Sequence, residues 1–220
     1  MRTAFTILLF SIIHLNFGAN PETATNLNTA ANASYLSPLE KEIVYEINLF
    51  RSNPAKYSDD FIAPLSKKFK GKLLYYPNDK PLLTKEGAKA VNECVSELKK
   101  AKPLPILYPN QPLSKAAADH AKDQSRSGKT GHSGSDGSTS RKRIERYGNW
   151  QVRIAENIAY GGATARQIVI YLLVDDGQYD RGHRKNFLQP DFKLVGVATS
   201  NHPVYKNMCV MDFAGGMTEK

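Results

Sequence analysis

The chain has 220 residues, with 30 Lys and Arg against 21 Asp and Glu, and its formal net charge is +9. This length suits one medium-sized domain with a proper hydrophobic core, and the charge predicts salt-sensitive attraction to anionic surfaces such as envelope polymers and lipid headgroups. The basic clusters at residues 67–72 and 141–146 do not show the aromatic interleaving of a single-strand binding face, so we expect no nucleic-acid partner.

The N-terminus is predicted to be a secretory signal peptide over residues 1–19. The apolar run Ala4–Phe17 is shorter than the roughly 20 residues that span a bilayer, and no later segment is apolar enough to cross one. Ala19 suits the position before the cut, but Phe17 is bulky where a small residue is preferred, so an uncleaved anchor stays as the alternative. Residues 20–34 are small, polar and aperiodic, which predicts a flexible leader over residues 20–36. We expect a secreted or extracytoplasmic protein with no transmembrane helix in its mature chain.

Five helices are predicted in a single domain that covers residues 37–217. The first begins at the N-cap Ser37, has Pro38 at its first helical position, and ends before Pro54. The other four are predicted over residues 85–101, 113–127, 138–147 and 165–175. Residues 58–83 mix Pro, Gly, Lys and aromatic residues without a period, and they are predicted to form an irregular insertion with short elements.

The C-terminal third of the domain changes to a period of two, which indicates strands. Leu194–Ala198 and Val204–Phe213 are predicted strands joined by a turn at Asn201–Pro203, and Ala155–Tyr160 is predicted as a third. Helices around a small, largely antiparallel sheet predict an α+β fold, arranged as a three-layer α/β/α sandwich.

Two histidines and two carboxylates stand out as candidate functional residues: His132, Glu156, Asp176 and His183. Three of them lie next to glycine, where a tight turn can point a polar side chain into a groove. Imidazole and carboxylate groups bind divalent metals, and they also transfer protons near neutral pH. The residues alone leave three interpretations open: a metal site, an acid/base site, or a hydrogen-bonded structural cluster.

Six short motifs follow one another between about residues 40 and 214. They lie at residues 48–54, 113–121, 131–133 (Gly-His-Ser), 155–158 (Ala-Glu-Asn-Ile), 182–187 (Gly-His-Arg-Lys-Asn-Phe) and 195–198. In this order they resemble the CAP superfamily (cysteine-rich secretory proteins, antigen 5 and pathogenesis-related 1 proteins) in its cysteine-poor, SCP-like form. The resemblance implies an α/β/α sandwich with a central cleft, where two histidines and two acids form a tetrad that binds zinc or another divalent ion in some members.

The tetrad carries over to this chain residue by residue. His132 and His183 match its histidines, and Glu156 matches its first acid. The second acid usually ends a Trp-x-x-Glu pattern, and the corresponding residues here are Leu173-Val174-Asp175-Asp176. Asp176 is therefore the best match and Asp175 the alternate, although the tryptophan is absent and Asp is one methylene shorter than Glu. The resemblance thus implies zinc or a similar divalent ion as the cofactor.

Four further residues carry expectations of their own. Cys94 and Cys209 either form one disulfide across a long loop or remain two buried free thiols, and the sequence does not choose between these. His120 lies on the apolar face of the third predicted helix, so we expect a core histidine. His202 lies in a predicted turn beside a proline, so we expect it to face solvent.

The first functional hypothesis is a secreted, non-enzymatic CAP-like monomer whose cleft binds a divalent metal or a small ligand, such as a lipid or a cell-envelope component. The alternative is a metal-assisted or acid/base hydrolase of the peptidase type, with Glu156 as the general base. The chain offers no convincing nucleophile and no helical His-Glu-x-x-His motif, which weighs against an enzyme. A third possibility is an envelope-binding protein that uses its basic surface, with the tetrad as scaffold.

Overall fold

The computed structural model describes residues 27–76 and 80–220, so the predicted signal peptide lies outside the described residues. The helices are α1 (Pro38–Ser52), α2 (Pro54–Tyr57), α3 (Ala88–Leu98), α4 (Gln111–Ser127), α5 (Ser140–Glu145), α6 (Ala165–Val174) and α7 (Gly182–Phe187). The strands are β1 (Phe69–Lys70), β2 (Leu73–Leu74), β3 (Leu82–Leu83), β4 (Tyr108–Pro109), β5 (Gly148–Tyr160), β6 (Leu194–His202) and β7 (Lys206–Glu219). No helix in this part of the chain is long and apolar enough to span a membrane.

The main sheet has four strands in the order β4-β6-β7-β5, and only the β4–β6 pair is parallel. Side chains of β7 alternate between its two faces, as the period of two predicts. Met211 and Phe213 pack into the core formed by α1, α3, α6 and α7, whereas Val210 and Ala214 pack against α4 and α5. The sheet therefore lies between two helical layers, which confirms the predicted three-layer α/β/α sandwich.

The first helix begins where the sequence predicts. The Ser37 hydroxyl accepts a hydrogen bond from the Glu40 amide at 3.3 Å, and the Glu40 carboxylate accepts one from the Ser37 amide at 2.8 Å. This reciprocal capping satisfies two amides that the helix itself leaves free. Further along α1, the buried Arg51 guanidinium donates to four backbone carbonyls, those of Pro105, Phe187, Gln189 and Phe192.

The described part of the predicted leader, residues 27–36, contacts the domain. Leu27, Ala30 and Leu36 are buried, and the Thr29 hydroxyl donates to the Leu107 carbonyl at 2.7 Å. These apolar residues are too widely spaced to give a helical or strand period, which is why the sequence reads as aperiodic. Residues 27–36 therefore pack onto the domain as an irregular segment.

The insertion at residues 58–83 consists of short elements. A π-helical turn (Ser58–Ile62) and a 3₁₀ helix (Ala63–Lys68) lead into β1, β2 and β3, which form a separate antiparallel sheet called the small sheet below. Residues 77–79, between β2 and β3, are outside the described part. The register pairs Phe69, Leu74 and Leu82 on one face, and Lys70, Leu73 and Leu83 on the other.

The two cysteines are free and buried, so the structure selects the second of the two options left open. Burial raises the pKa of Cys94 to about 12, and it also raises the pKa of Cys209. Removal from water disfavours the thiolate, and both thiols therefore behave as small apolar side chains of the core.

The expectation that His202 faces solvent is wrong. The side chain is 2% exposed, and its Nδ1 lies 3.2 Å from the Val204 amide, which donates to it. Its ring also lies edge-on to Tyr160, with 5.4 Å between the ring centroids. The strands β6 and β7 extend further than predicted, so His202 is the last residue of a strand and packs over the sheet edge.

Candidate functional site

A polar cleft of about 490 Å³ lies beside β5, the strand at one edge of the main sheet. Its walls include His132 from the loop between α4 and α5, Glu156 from β5, and His183 and Asn186 from α7. Three of the four predicted residues are thus brought to one cleft by three separate segments. Asp176 does not belong to these walls.

His132 and Glu156 form the first histidine–carboxylate pair. His132 Nδ1 lies 2.8 Å from Glu156 Oε1, and the other carboxylate oxygen accepts a hydrogen bond from Arg143 at 2.7 Å. The Glu156 side chain is 1% exposed and that of Arg143 is 2% exposed, whereas His132 is 56% exposed. A carboxylate only accepts, so the pair fixes the proton of neutral His132 on Nδ1 and leaves Nε2 as a hydrogen-bond acceptor.

His183 and Asp175 form the second pair, and this corrects the assignment of Asp176. Asp175 Oδ1 lies 2.6 Å from His183 Nδ1, and Asp175 Oδ2 accepts from the His183 backbone amide at 2.9 Å. Asp175 follows α6 in a left-handed conformation, with a φ of 55°, and this turns its side chain toward α7. The alternate acid of the sequence motif is therefore the one that contacts the histidine.

Asp176 has a structural role in a different place. Its two carboxylate oxygens accept hydrogen bonds from the backbone amides of Lys85 and Glu86, at 2.6 and 2.8 Å. These amides lie just before α3, and the carboxylate fastens this segment to the end of α6. The methylene that separates Asp from Glu is not the reason for the difference, because the neighbouring Asp175 reaches the histidine with the same short side chain.

Two arginines hold the segment that carries Asp175 and His183. The Arg181 guanidinium pairs with both Glu86 and Glu93 at distances from 2.7 to 2.9 Å, and it donates to the Asp175 carbonyl at 2.8 Å. Hydrogen bonds from Arg181 lower the pKa of Glu86 and of Glu93 to about 2. Arg184 is fully buried and joins the end of α6 to Glu97 of α3. The loop between α6 and α7 is therefore fixed by charged hydrogen bonds.

The main sheet is also bonded directly to α7. Asn157 of β5 donates to the His183 carbonyl at 3.1 Å and accepts from the Asn186 amide at 2.8 Å. Because Asn157 and Glu156 are adjacent on β5, their side chains leave opposite faces of the strand. One strand segment thus orients His132 through Glu156 and positions His183 through Asn157.

The four predicted residues do not form a set of metal ligands in this structure. Glu156 is already paired with a guanidinium, whose charge opposes a cation at the same carboxylate, and Asp176 is occupied by two amides. Within residues 27–76 and 80–220, no three His, Cys, Asp or Glu side chains are grouped so that they could hold a metal ion. Binding of a divalent metal in the cleft stays a prediction.

An apolar cavity of about 260 Å³ adjoins the cleft. Ile158, Tyr160, Gln178 and His183 line both spaces, so the two share this wall. The remainder of the cavity is formed largely by aliphatic and aromatic side chains of α6, α3 and the insertion. The small sheet contributes its inner face, which consists of Phe69, Leu74 and Leu82.

A third carboxyl group, Asp212, lies in the centre of the sheet behind Glu156. It is directly opposite Glu156 on β7, is fully buried, and neither of its oxygens has a hydrogen-bond partner. Burial, and then the negative charge of Glu156, raises the pKa of Asp212 well above its usual range. On the other side of Asp212, Gly196 of β6 leaves room for α4, since a Cβ there would lie 2.1 Å from the Leu113 carbonyl carbon.

Arg143 is the site residue that sequence reasoning missed. It belongs to the basic cluster at residues 141–146, yet its guanidinium is buried against Glu156 and also donates to the His132 carbonyl at 3.1 Å. The only available signal was the neighbouring Ile144, which marks this side of the short helix as facing the core. His120 is a core histidine as expected, with Nε2 at 2.8 Å from the Gly131 carbonyl oxygen.

The two aspartates at the end of α6 provide a test of the second pair. We expect neutral His183 to carry its proton on Nδ1 in the wild type. Asp175→Asn should shift it toward Nε2, because the single amide oxygen accepts from the backbone amide and the amide nitrogen then donates to Nδ1. Asp176→Asn is the matched control and should leave His183 unchanged. Two-bond ¹H–¹⁵N spectra of the imidazole rings measure this, with His132 as an internal reference. A shift in Asp176→Asn alone would contradict the assignment.

Asp212 makes stability depend on pH in a defined direction. A raised pKa keeps the folded state protonated while the unfolded chain ionises near the usual value of about 3.9. The wild type therefore loses stability as pH rises above that value. The free energy of unfolding of Asp212→Asn, relative to that of the wild type, should rise by at least about 1 kcal/mol between about pH 4 and about pH 7. Urea unfolding at both pH values measures it. Asp191→Asn, at an exposed position, is the control and should show the same pH dependence of the free energy of unfolding as the wild type. Equal pH dependence in Asp212→Asn and the wild type would refute a buried neutral carboxyl at Asp212.

Two solved structures are similar to the chain. An extracellular protein containing an SCP domain from Bacillus anthracis str. Ames is 23% identical, with a TM-score of 0.42, and the match covers 58% of this chain and 38% of that one. An outer surface protein from Borrelia burgdorferi is 21% identical, with a TM-score of 0.43, and the match covers 59% of this chain and 89% of that one. Both scores are low, so neither adds to what the structure itself shows of the fold.

The sequence model of the cysteine-rich secretory protein family, CAP, matches residues 44–213. This range is more than half of the chain and contains both histidine–carboxylate pairs, with all the residues that line the cleft. A comparison with curated proteins gives no match. The predicted resemblance is confirmed, and the chain belongs to the CAP, or cysteine-rich secretory protein, family.

Proposed function

We propose that this protein is a secreted, non-enzymatic CAP protein that binds a small amphipathic molecule, with the apolar part in the cavity and a hydroxyl or similar hydrogen-bond donor in the cleft. The observation that carries the proposal is the shared wall between the two spaces, to which His183 contributes. Ligand sites in proteins are typically apolar pockets with a few converging polar groups. A lipid-like or cell-envelope component fits this description.

The polar end of the ligand is inferred from the two histidines. Each Nδ1 is bonded to a carboxylate, so each neutral ring offers Nε2 as an acceptor. The carboxylates nearby make an anionic head unfavourable, since Asp180 also lines the cleft. A head group that donates a hydrogen bond, such as a hydroxyl, therefore matches the cleft better than a carboxylate would.

Export is supported by the family, by the extracellular protein and the outer surface protein to which the chain is similar, and by the predicted signal peptide. We propose that the mature protein acts outside the cytoplasm as a monomer. In that setting the net positive charge would favour anionic envelope components.

The hydrolase alternative receives less support from the geometry. Glu156 is buried, and both of its oxygens are bonded, so it orients His132 instead of facing the cleft as a base. His132 would be the better acid/base candidate, because its 56% exposed ring has a carboxylate on Nδ1. A hydrolase that uses a hydroxyl nucleophile would have to take it from Thr130 or Tyr160, the two residues with hydroxyls among those that line the cleft. The Tyr160 hydroxyl already donates to the Gln124 side chain and accepts from the Gly131 amide.

Octanol, its methyl ether and ethanol test the amphipathic ligand. Octanol has both parts, the ether lacks the donor, and ethanol lacks the chain, so we expect octanol to bind at least about tenfold more tightly than either. Ligand-observed NMR titration of the mature chain measures the affinities. Equal binding of octanol and ethanol would refute the apolar subsite, and equal binding of octanol and the ether would refute the polar one.

Two leucines of the small sheet supply a matched control for this titration. Leu82 is 39% exposed on the inner face that lines the cavity, and Leu73 is 37% exposed on the outer face. We expect Leu82→Gln to weaken octanol binding about fivefold and Leu73→Gln to leave it within about twofold. His183→Gln should reduce the difference between octanol and its ether.

We also propose that zinc, if it binds, does so through Nε2 of His132 and His183, with the paired carboxylates holding the rings in place. Calorimetric titration of Zn²⁺ should then show binding by the wild type and none by the His132→Ala/His183→Ala double variant. Asp176→Asn should titrate like the wild type, because Asp176 bonds only the amides before α3. Identical titrations of the wild type and the double variant would end this proposal.

A further inference from the structure

The outer face of the small sheet combines exposed apolar side chains with lysines. The register places Lys70, Leu73 and Leu83 side by side on this face. Tyr75 follows two residues after Leu73 and thus points the same way, and the Lys70 ammonium lies 5.4 Å from its ring centroid. Leu83 is 73% exposed and Tyr75 is 41% exposed. This face is called the outer patch below.

The outer patch is unlike the rest of the described surface. Leu73, Leu82 and Leu83 are the three exposed leucines among the described residues, and all belong to the small sheet. Outside the small sheet and the adjoining Tyr75, the large exposed apolar side chains in the described part of the chain are tyrosines and valines, and only Val204 and Tyr205 among them are neighbours in sequence. Clustered apolar side chains with a polar rim mark interaction surfaces in soluble proteins, whereas single ones do not.

In the described stretch 63–76, which carries most of the outer patch, the charge has one sign. Residues 63–76 contain four lysines and no acid, and Lys67, Lys70 and Lys72 are exposed. The nearest acid of α3's leading segment, Glu86, is already paired with Arg181. An approaching surface therefore meets positive charge and apolar side chains together.

We propose that the outer patch docks on the surface of a bilayer that contains anionic phospholipids. Leucine and tyrosine side chains enter the boundary between headgroups and acyl chains, and lysines around them contact lipid phosphates while their methylene stems lie along the apolar surface. A protein partner fits less well, because three apolar side chains on strands of two residues present far less area than the roughly 800 Å² per partner of a stable interface.

This docking goes beyond the proposed cleft ligand and does not depend on it. The inner face of the same sheet lines the cavity together with Leu83, and the outer face makes the membrane contact. Substitutions at Leu73 and Tyr75, which do not line the cavity, and at Leu82, which does, therefore separate the two activities. If octanol does not bind, the membrane proposal is unaffected. If vesicles do not bind, the proposed cleft ligand is unaffected.

Vesicle co-sedimentation of the chain without its predicted signal peptide tests the proposal. We expect binding to phosphatidylglycerol/phosphatidylcholine vesicles that is at least tenfold stronger than to phosphatidylcholine alone and that falls with added salt. Leu73→Gln/Tyr75→Gln and Lys70→Gln/Lys72→Gln should each weaken it at least fivefold. Leu82→Gln, on the inner face, should retain most of the binding.

Matched controls keep the outcome specific. Val204→Gln removes another highly exposed apolar side chain, and Lys115→Gln/Lys122→Gln removes two exposed lysines of α4. These variants should bind like the wild type, and circular dichroism should show that all variants are folded. No binding to anionic vesicles, equal binding to neutral ones, or equal loss in the controls would each overturn the proposal. Self-association through Leu73 and Leu83 without vesicle binding would also overturn it, in favour of a second copy as the partner.

Discussion

A guanidinium group that leaves water must exchange its hydration for hydrogen bonds within the protein, and this constraint shapes the whole domain. Arg51, Arg143 and Arg184 are the three largest fully buried side chains of the described residues. Arg51 donates hydrogen bonds to backbone carbonyls of the segments that surround α1. Arg143 connects the His132 loop to β5, and Arg184 connects α7 to α6 and α3. Segments that are far apart in sequence are fixed against each other at these points, and the cleft lies between two of them.

The same constraint decides which chemistry the cleft offers. Because Arg143 takes one oxygen of Glu156 and His132 takes the other, the carboxylate orients an imidazole and is not available to a ligand. Asp175 does the same for His183, with Arg181 holding its backbone. What remains for a ligand is two rigidly held histidine rings beside an apolar cavity. Preorganised polar groups of this kind lower the cost of ordering on binding, which suits recognition of a small molecule.

The fold could be predicted from the sequence because its signals are periodic and local. The Ser37–Pro38 start, the helical stripes and the period of two in β6 and β7 each follow from one stretch of chain. His132, Glu156 and His183 were found because each is embedded in a recognisable motif. The sequence favoured Asp176 over Asp175, yet Asp175 is the residue that contacts His183, because the choice depends on the backbone turn that ends α6. Arg143 was missed for a related reason: only tertiary structure distinguishes a buried cation from a solvated one.

The free state of Cys94 and Cys209 has a consequence for how this domain matures and how it could be followed. A domain whose only two thiols are separate and buried needs no oxidation step to reach its native state. While the protein is folded, burial keeps both thiols protonated and out of reach of reagents. Both become reactive only when the core opens, one in α3 and one in the central strand β7. Each thiol thus reports the opening of its own layer, the helical layer for Cys94 and the sheet for Cys209. The rates at which a thiol reagent modifies the two cysteines would show whether these layers open together or one before the other.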